Sequence, residues 1–276
     1  MKCKIKNDKM QNEVKNVIDI LKAKKEFAEY VKRYNIKDDK IRLKVEHIER
    51  VSQNAKKLAT KLELDKEDIK LAELIGLLHD IGRFEQIKRY HTFNDKKSIN
   101  HGEFGVHILF NKNDGIIRSF VKDKQYDDII KKVIINHNKG AKDISEDLTT
   151  RELLHTKIIR DSDKIDILNL LTFEKKETAW EKADLSDDII SEEIYKEFME
   201  NGNIDYGKIK SSADLLIGHF AYVFDINFPD SLKFIKEKDY FEKIYNRFKF
   251  NDKKTEQRYE SIYKRVNEHI EKVLGE

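Results

Sequence analysis

Residues 71–83 read LAELIGLLHDIGR. Leu71, Ala72, Leu74, Ile75, Leu77 and Leu78 make an almost wholly apolar helix, and it ends in the polar doublet His79-Asp80. A helix apolar nearly all round is a buried helix. An imidazole and a carboxylate carried inward on such a rod are costly unless they are paired or bind a metal. Gly82 follows, a residue that readily takes the left-handed conformation common just past a helix C-terminus. The reading is a metal site at the end of a central helix, with the remaining ligands supplied from elsewhere in the chain.

Working outward, 41–62 carries Leu43, His47, Val51, Asn54 and Leu58 at steps of three or four, so His47 shares a helical face with apolar residues. Asp65 is a plain N-cap candidate for the helix that bears the doublet. From 84 to 100 the pattern breaks into a short helical piece and a loop containing His91 and Asp95. A helix opens near Ser98, where His101, Gly105 and Ile108 share a face and the glycine permits close approach to a neighbour. The stretch 126–138 places Ile130, Val133, Ile134 and His137 on one side. The stretch 150–172 is a long helix, apolar on more than one face, with Asp161, Asp163 and Asp166 set into it.

Further helices are expected over 14–34, 184–199, 206–224 and 252–274, with 220–250 and Trp180 as packing residues. No alternating pattern suggests strands, so the fold class is all-α.

Charged residues make up 39 % of the 276, but 55 Lys+Arg against 52 Asp+Glu leave a net charge of only +3. That balance offers no electrostatic case for a nucleic acid polymer or an anionic membrane as partner. Cys3 is the only cysteine, which excludes an intramolecular disulfide and fits a reducing compartment. The N-terminus has no apolar signal core and no run reaches membrane-spanning length, so a cytoplasmic location is expected. The oligomeric state is not legible.

His47, His79, Asp80, His101, His137 and Asp163 come from five helical segments, most on apolar faces. Imidazole and carboxylate suit one or two divalent ions, Mn, Fe, Co, Ni, Zn or Mg. A lone inward histidine is usually a hydrogen-bonded core residue; the ordered set is what argues for metal. Periodicity alone places Asp161 at least as well as Asp163 on the apolar face.

The motifs VEHIERVSQNAKKLA, AELIGLLHDIGRF, VIINHN and IIRDSDKIDIL, in this order, resemble those of the HD-domain superfamily of metal-dependent phosphohydrolases. The resemblance runs from about Val45 to Leu168. It implies a helical fold with one or two metals at its centre. Since no repeat, low-complexity linker or composition shift marks a boundary, a single domain over 1–276 is expected, with an HD-like metal-binding core at about 41–172 and a C-terminal helical extension over about 173–276. The resemblance also implies that His47, His79, Asp80 and Asp163 hold a first metal, because the family's aspartate precedes a basic and an aliphatic residue, here Lys164-Ile165. HGEFG is similar to the extra histidine motif of two-metal members, so His101 and His137 would hold a second metal with Asp80 bridging.

The activity implied is hydrolysis of a phosphate ester on a nucleotide or small phosphorylated metabolite, with Asp80, Arg83 and Lys164 as catalytic residues and the two cations stabilising charge on the phosphoryl group. Arg83 and Lys164 serve equally well as ion-pair partners of site carboxylates. No GYP tripeptide follows the doublet, which argues against a cyclic dinucleotide. The alternatives are a mixed-valent di-iron oxygenase on the same six ligands and a non-catalytic nucleotide-binding sensor.

Overall fold

The computed structural model describes residues 18–177, 182 and 184–275. The chain is all-α, with no strand among the described residues. Trp180, Cys3 and the first part of the helix expected over 14–34 lie outside them. The described part of that helix, α1 (Ile20–Val31), starts on an Asp19 cap and buries Ala23, Phe27, Tyr30 and Val31.

α2 (Asp39–Lys61) begins where the Asp38 carboxylate accepts from the Lys40 amide, and it buries Ile41, His47, Ile48, Val51, Ala55 and Leu58 along one face. α3 (Lys66–Leu78) is capped by Asp65, with Glu67 and Asp68 in its first turn, where carboxylates suit the helix dipole. Every residue from Leu71 to Leu78 is buried. Glu73 among them is tolerated because Lys24 and Lys56 reach its two oxygens at 2.6 and 3.0 Å. α2 and α3 approach closely at Gly76, where an added Cβ would sit 2.7 Å from the Ser52 Cα. The Ser52 hydroxyl donates to the Glu73 carbonyl at the same crossing.

The doublet sits in the turn between α3 and α4 (Gly82–Tyr90). Gly82 is not left-handed, contrary to the sequence reading; it opens α4, and the left-handed residue is His91 at the far end. A Cβ at Gly82 would fall 2.4 Å from the His101 carbonyl and 2.8 Å from the Gly105 nitrogen, so the glycine is needed for contact with α5 (His101–Phe110). Gly105 itself has ordinary room, 3.5 Å from its nearest neighbours.

α6 (Ile117–Phe120) and α7 (Asp127–His137) complete the first apolar core, which joins α1 to α7 and takes in Ile159. α8 (Thr150–Phe173) starts on a Thr149–Glu152 capping box and joins the two large cores, while its Ile158 packs in a small third cluster with Ala55, Leu58, Ala59 and Ala72. Ile159 lies in the first core, and Ile165, Leu168 and Leu171 lie in the second.

That second core holds α9 (Glu192–Asn201), α10 (Ser212–Phe220), α11 (Pro229–Glu237), α12 (Tyr240–Tyr245) and α13 (Lys253–Leu274). It absorbs the aromatic stretch, burying Phe220, Tyr240, Phe241, Phe248 and Phe250.

The helices expected over 184–199 and 206–224 are shorter than the periodicity suggests. Ser191 caps α9, and Asp214 accepts from the Ser191 amide, so the residues before 192 stay irregular. Ser211 caps α10 and divides it from a 3-10 turn at Tyr206–Lys208; a second 3-10 turn, Ala221–Asp225, follows. Serine and aspartate side chains offer the backbone local partners that compete with helix continuation. No described helix is long and apolar enough to cross a membrane.

Candidate metal centre

Five elements deliver polar groups to one point. α2 brings His47 from its inner face, and the α3–α4 turn brings His79 and Asp80. His101 is the first residue of α5, fixed there because the Asn100 side chain accepts from the amides of Gly102 and Glu103. His137 is the last residue of α7, and Asp163 lies midway along α8. Adjacent residues cannot point the same way along a regular helix; the turn after α3 is what lets His79 and Asp80 face one centre.

The Asp80 carboxylate is shared between two pairs of imidazoles. Its Oδ2 lies 3.5 Å from His47 Nε2 and 3.6 Å from His79 Nε2. Its Oδ1 lies 3.3 Å from His101 Nε2 and 3.7 Å from His137 Nε2. Asp163 Oδ1 is 3.1 Å from His47 Nε2 and 3.8 Å from His79 Nε2. His47, His79 and Asp80 could hold one ion and Asp80, His101 and His137 another, with His79, His137 and Asp163 a further compatible trio. Five of these side chains are almost completely buried, whereas Asp163 is 19 % exposed. Lys44 and Arg83, each partly exposed, also reach the cluster through Asp80.

The donor set fits a divalent cation. The Nδ1 of His79 faces the Gly76 carbonyl at 2.8 Å and that of His137 the Ile134 carbonyl at 2.5 Å. A carbonyl only accepts, so in the neutral ring the proton sits on Nδ1 and Nε2 presents a lone pair. Asp95 Oδ2 holds His101 Nδ1 at 2.6 Å, and Asp166 Oδ2 holds His47 Nδ1 at 2.8 Å. Carboxylate and carbonyl partners of this kind orient metal-binding imidazoles. His101 and His137 bring their Nε2 atoms within 3.1 Å of each other. Two lone pairs at that distance repel unless a cation lies between them. Nε2 of His79 and Oδ1 of Asp80 are buried with no hydrogen-bond partner, a costly state that a bound ion relieves.

Electrostatics of the metal-free cluster divide the rings: His79 and His101 are held neutral, whereas His47 is held protonated by its carboxylates until a cation displaces the proton. Burial drives the His79 pKa down to about 3, and burial together with Arg83 drives that of His101 to about 4, so both rings stay neutral. For His47, burial and Lys44 act downward, but contacts with Asp163, Asp166 and Asp80 outweigh them and lift it to about 10. Asp80 lies well below its ordinary value: burial opposes this, while Lys44 and the surrounding histidines favour the ionised form. Asp163 is likewise lowered, by His47 and His79 against burial.

Asp161, the other aspartate that periodicity allowed, faces away from the cluster. Its carboxylate accepts from the Asn227 and Phe228 amides at 2.9 and 3.0 Å. Arg83 donates to Asp95 Oδ1 at 2.8 Å and to the Phe93 carbonyl, and its Nε is 3.6 Å from Asp80 Oδ1. Lys164 is buried and paired with Asp225 at 3.0 Å, not set against the six ligands; burial, then Arg160, lowers its pKa.

Two contacts escaped the sequence reading. Lys44 places its Nζ 2.6 Å from Asp80 Oδ2, and Asp166 buttresses His47 while accepting from Arg50 at 2.6 Å. Both were within reach of periodicity, since Lys44 is three residues before His47 and Asp166 three after Asp163.

The HD domain family model matches residues 45–168, just under half of the chain. No curated protein and no solved structure matches the chain.

Proposed function

We propose that this protein hydrolyses a phosphate ester of a nucleotide or other small phosphorylated metabolite; the match of residues 45–168 to the HD domain, which supports the superfamily of metal-dependent phosphohydrolases, favours this reading. The observation that carries the reading is the shared Asp80 carboxylate, with one oxygen toward His47 and His79 and the other toward His101 and His137. We assign His47, His79, Asp80 and Asp163 to a first divalent ion, and His101 and His137, with Asp80 bridging, to a second. Bound divalent ions supply a water of lowered pKa and polarise a phosphoryl oxygen.

The chain's own part is orientation and charge. Asp166, Asp95 and the carbonyls of Gly76 and Ile134 hold the four Nδ1 protons, so each Nε2 is presented inward. Lys44 and Arg83, both beside Asp80 and both near the Phe93 ring, are suited to stabilise negative charge on a phosphoryl group. In this reading Lys164 is an ion-pair partner of Asp225 and does not touch substrate. We assign the C-terminal extension, over about 173–276, to one domain with the metal-binding core; α8, which contributes residues to both apolar cores, supports this.

The test is turnover by protein reconstituted separately with Mn, Co, Ni, Zn, Mg and Fe, on phosphomonoesters, phosphodiesters and nucleoside triphosphates. Hydrolysis of one class is expected, falling at least ~100-fold in Asp80→Ala because both ions lose their shared ligand. No turnover of any class with any metal would overturn the reading. Activity confined to iron and accompanied by oxygen uptake would replace it with the oxygenase alternative.

A further inference from the structure

We propose that Asp225, outside the matched segment, is a positioning residue of the metal centre: through Arg160 it fixes the end of α7 that carries His137. The inference rests on the reading of His101 and His137 as ligands of a second ion.

The final turn of any helix leaves its carbonyls without intrahelical partners. α7 ends at His137, and Arg160 from α8 serves that end. Its Nη1 donates to the carbonyl of His137 at 3.2 Å and to that of Lys139, and lies 3.5 Å from that of Asn136. The Arg160 side chain is 1 % exposed, and its Nη2 donates to Asp225 Oδ2 at 2.5 Å. The same oxygen takes the Lys164 ammonium at 3.0 Å. One carboxylate thus compensates two buried cations on successive turns of α8.

A guanidinium cannot shed its charge. Without Asp225 it would be a buried cation with no counter-charge, a strongly unfavourable state. The side chain must then turn toward water and release the α7 carbonyls, and with them the backbone that sets His137. An ion pair that only fastened the C-terminal half to α8 would have no such effect. Asp161 makes a fastening of that simpler kind, holding Asn227 and Phe228.

The experiment compares full-length wild type, Asp225→Asn, Asp225→Glu and Asp161→Asn by two readouts. Hydrogen exchange of the chelator-treated protein reports on peptides covering residues 133–140. Calorimetric titration with Mn2+ reports on the ions. Asp225→Asn is expected to speed exchange at that end of α7 and to weaken the second equivalent of Mn2+ ~10–100-fold, leaving the first unchanged. Asp225→Glu should recover part of both effects, and Asp161→Asn should show neither.

Equal behaviour of Asp225→Asn and Asp161→Asn, or unchanged exchange in Asp225→Asn, would overturn the proposal. If wild type takes up a single ion while exchange still responds to Asp225→Asn, the positioning role stands and the two-ion reading fails. Should Asp225→Asn not fold, Arg160→Lys keeps the charge but loses the planar fork, and the same two readouts decide.

Discussion

At the scale of single residues, the centre depends on which atom of each ring is turned inward, and that is set by groups one layer out. Asp95 is the clearest case. It holds His101 Nδ1 and also receives Arg83 and Gln86. Asp95→Ala should weaken the ion bound by His101 and His137 ~10–100-fold while leaving the other in place, as read by metal titration. Unchanged affinity for both ions would show that the ring needs no such support.

The two aspartates of α8 should separate by function. Asp163→Asn is expected to reduce metal content, measured by elemental analysis of reconstituted protein. Asp161→Asn should retain metal and lower stability by about 2 kcal/mol, the usual scale for hydrogen bonds to a charged acceptor, measured by urea unfolding. Metal loss in Asp161→Asn alone would reverse the assignment.

At the scale of elements, the two glycines at the α4–α5 crossing exchange the roles that their sequence context suggests. Gly82 looked like a helix-ending residue and Gly105 like the point of close approach. The structure puts the tight contact at Gly82, where a Cβ meets the His101 carbonyl. Backbone cannot yield there as a flexible side chain would. Gly82→Ala is therefore expected to cost ~1–3 kcal/mol and to weaken metal binding at His101 by pushing on the start of α5. Gly105→Ala should be close to neutral in both thermal unfolding and metal titration. The reason is not visible in one dimension: a glycine's local pattern reports its conformational freedom, but the crossing partner is set by how two helices pack.

At the scale of the whole molecule, the buried charges make stability depend on pH when metal is removed. His47 has a folded pKa of about 10 against an ordinary 6.5. Between those values the folded chain holds a proton that the unfolded chain has lost, so stability falls as pH rises from 6.5 toward 10. His79 and His101, at about 3 and 4, act in the other direction. As pH falls from 6.5 toward 4, the unfolded chain takes up protons that the folded chain refuses, and stability falls again.

Chelator-treated protein should therefore be most stable near pH 6.5 in urea unfolding compared at pH 4.5, 6.5 and 9. A steady rise from 6.5 to 9 would contradict the His47 environment described here. Restoring metal at a free concentration 100 times its dissociation constant should add about 2.7 kcal/mol at a single site.

Much of this was legible in sequence because it depends on one-dimensional regularities. The continuous apolar run of α3 announced a buried helix, and the absence of alternation announced an all-α chain. His47, His79, Asp80, His101 and His137 stood out because polar groups on apolar faces demand partners. Lys44 carried no signal although it lies one turn from His47, since a lysine in a chain so rich in charge says nothing until its neighbour is known; Asp166 stood out on its apolar helix, but its contact with His47 did not.

Tertiary structure alone decided that Lys164 turns to Asp225 and that Arg83 reaches Asp95; it also turned Asp163 and not Asp161 to the histidines, a choice that the motif resemblance indicated and periodicity left open. α8 is buried on several faces, so its own periodicity names no preferred side. Two residues apart along a helix means roughly opposite directions, and only the packing of α2 on one flank and the 225–228 segment on the other determines which aspartate meets the imidazoles.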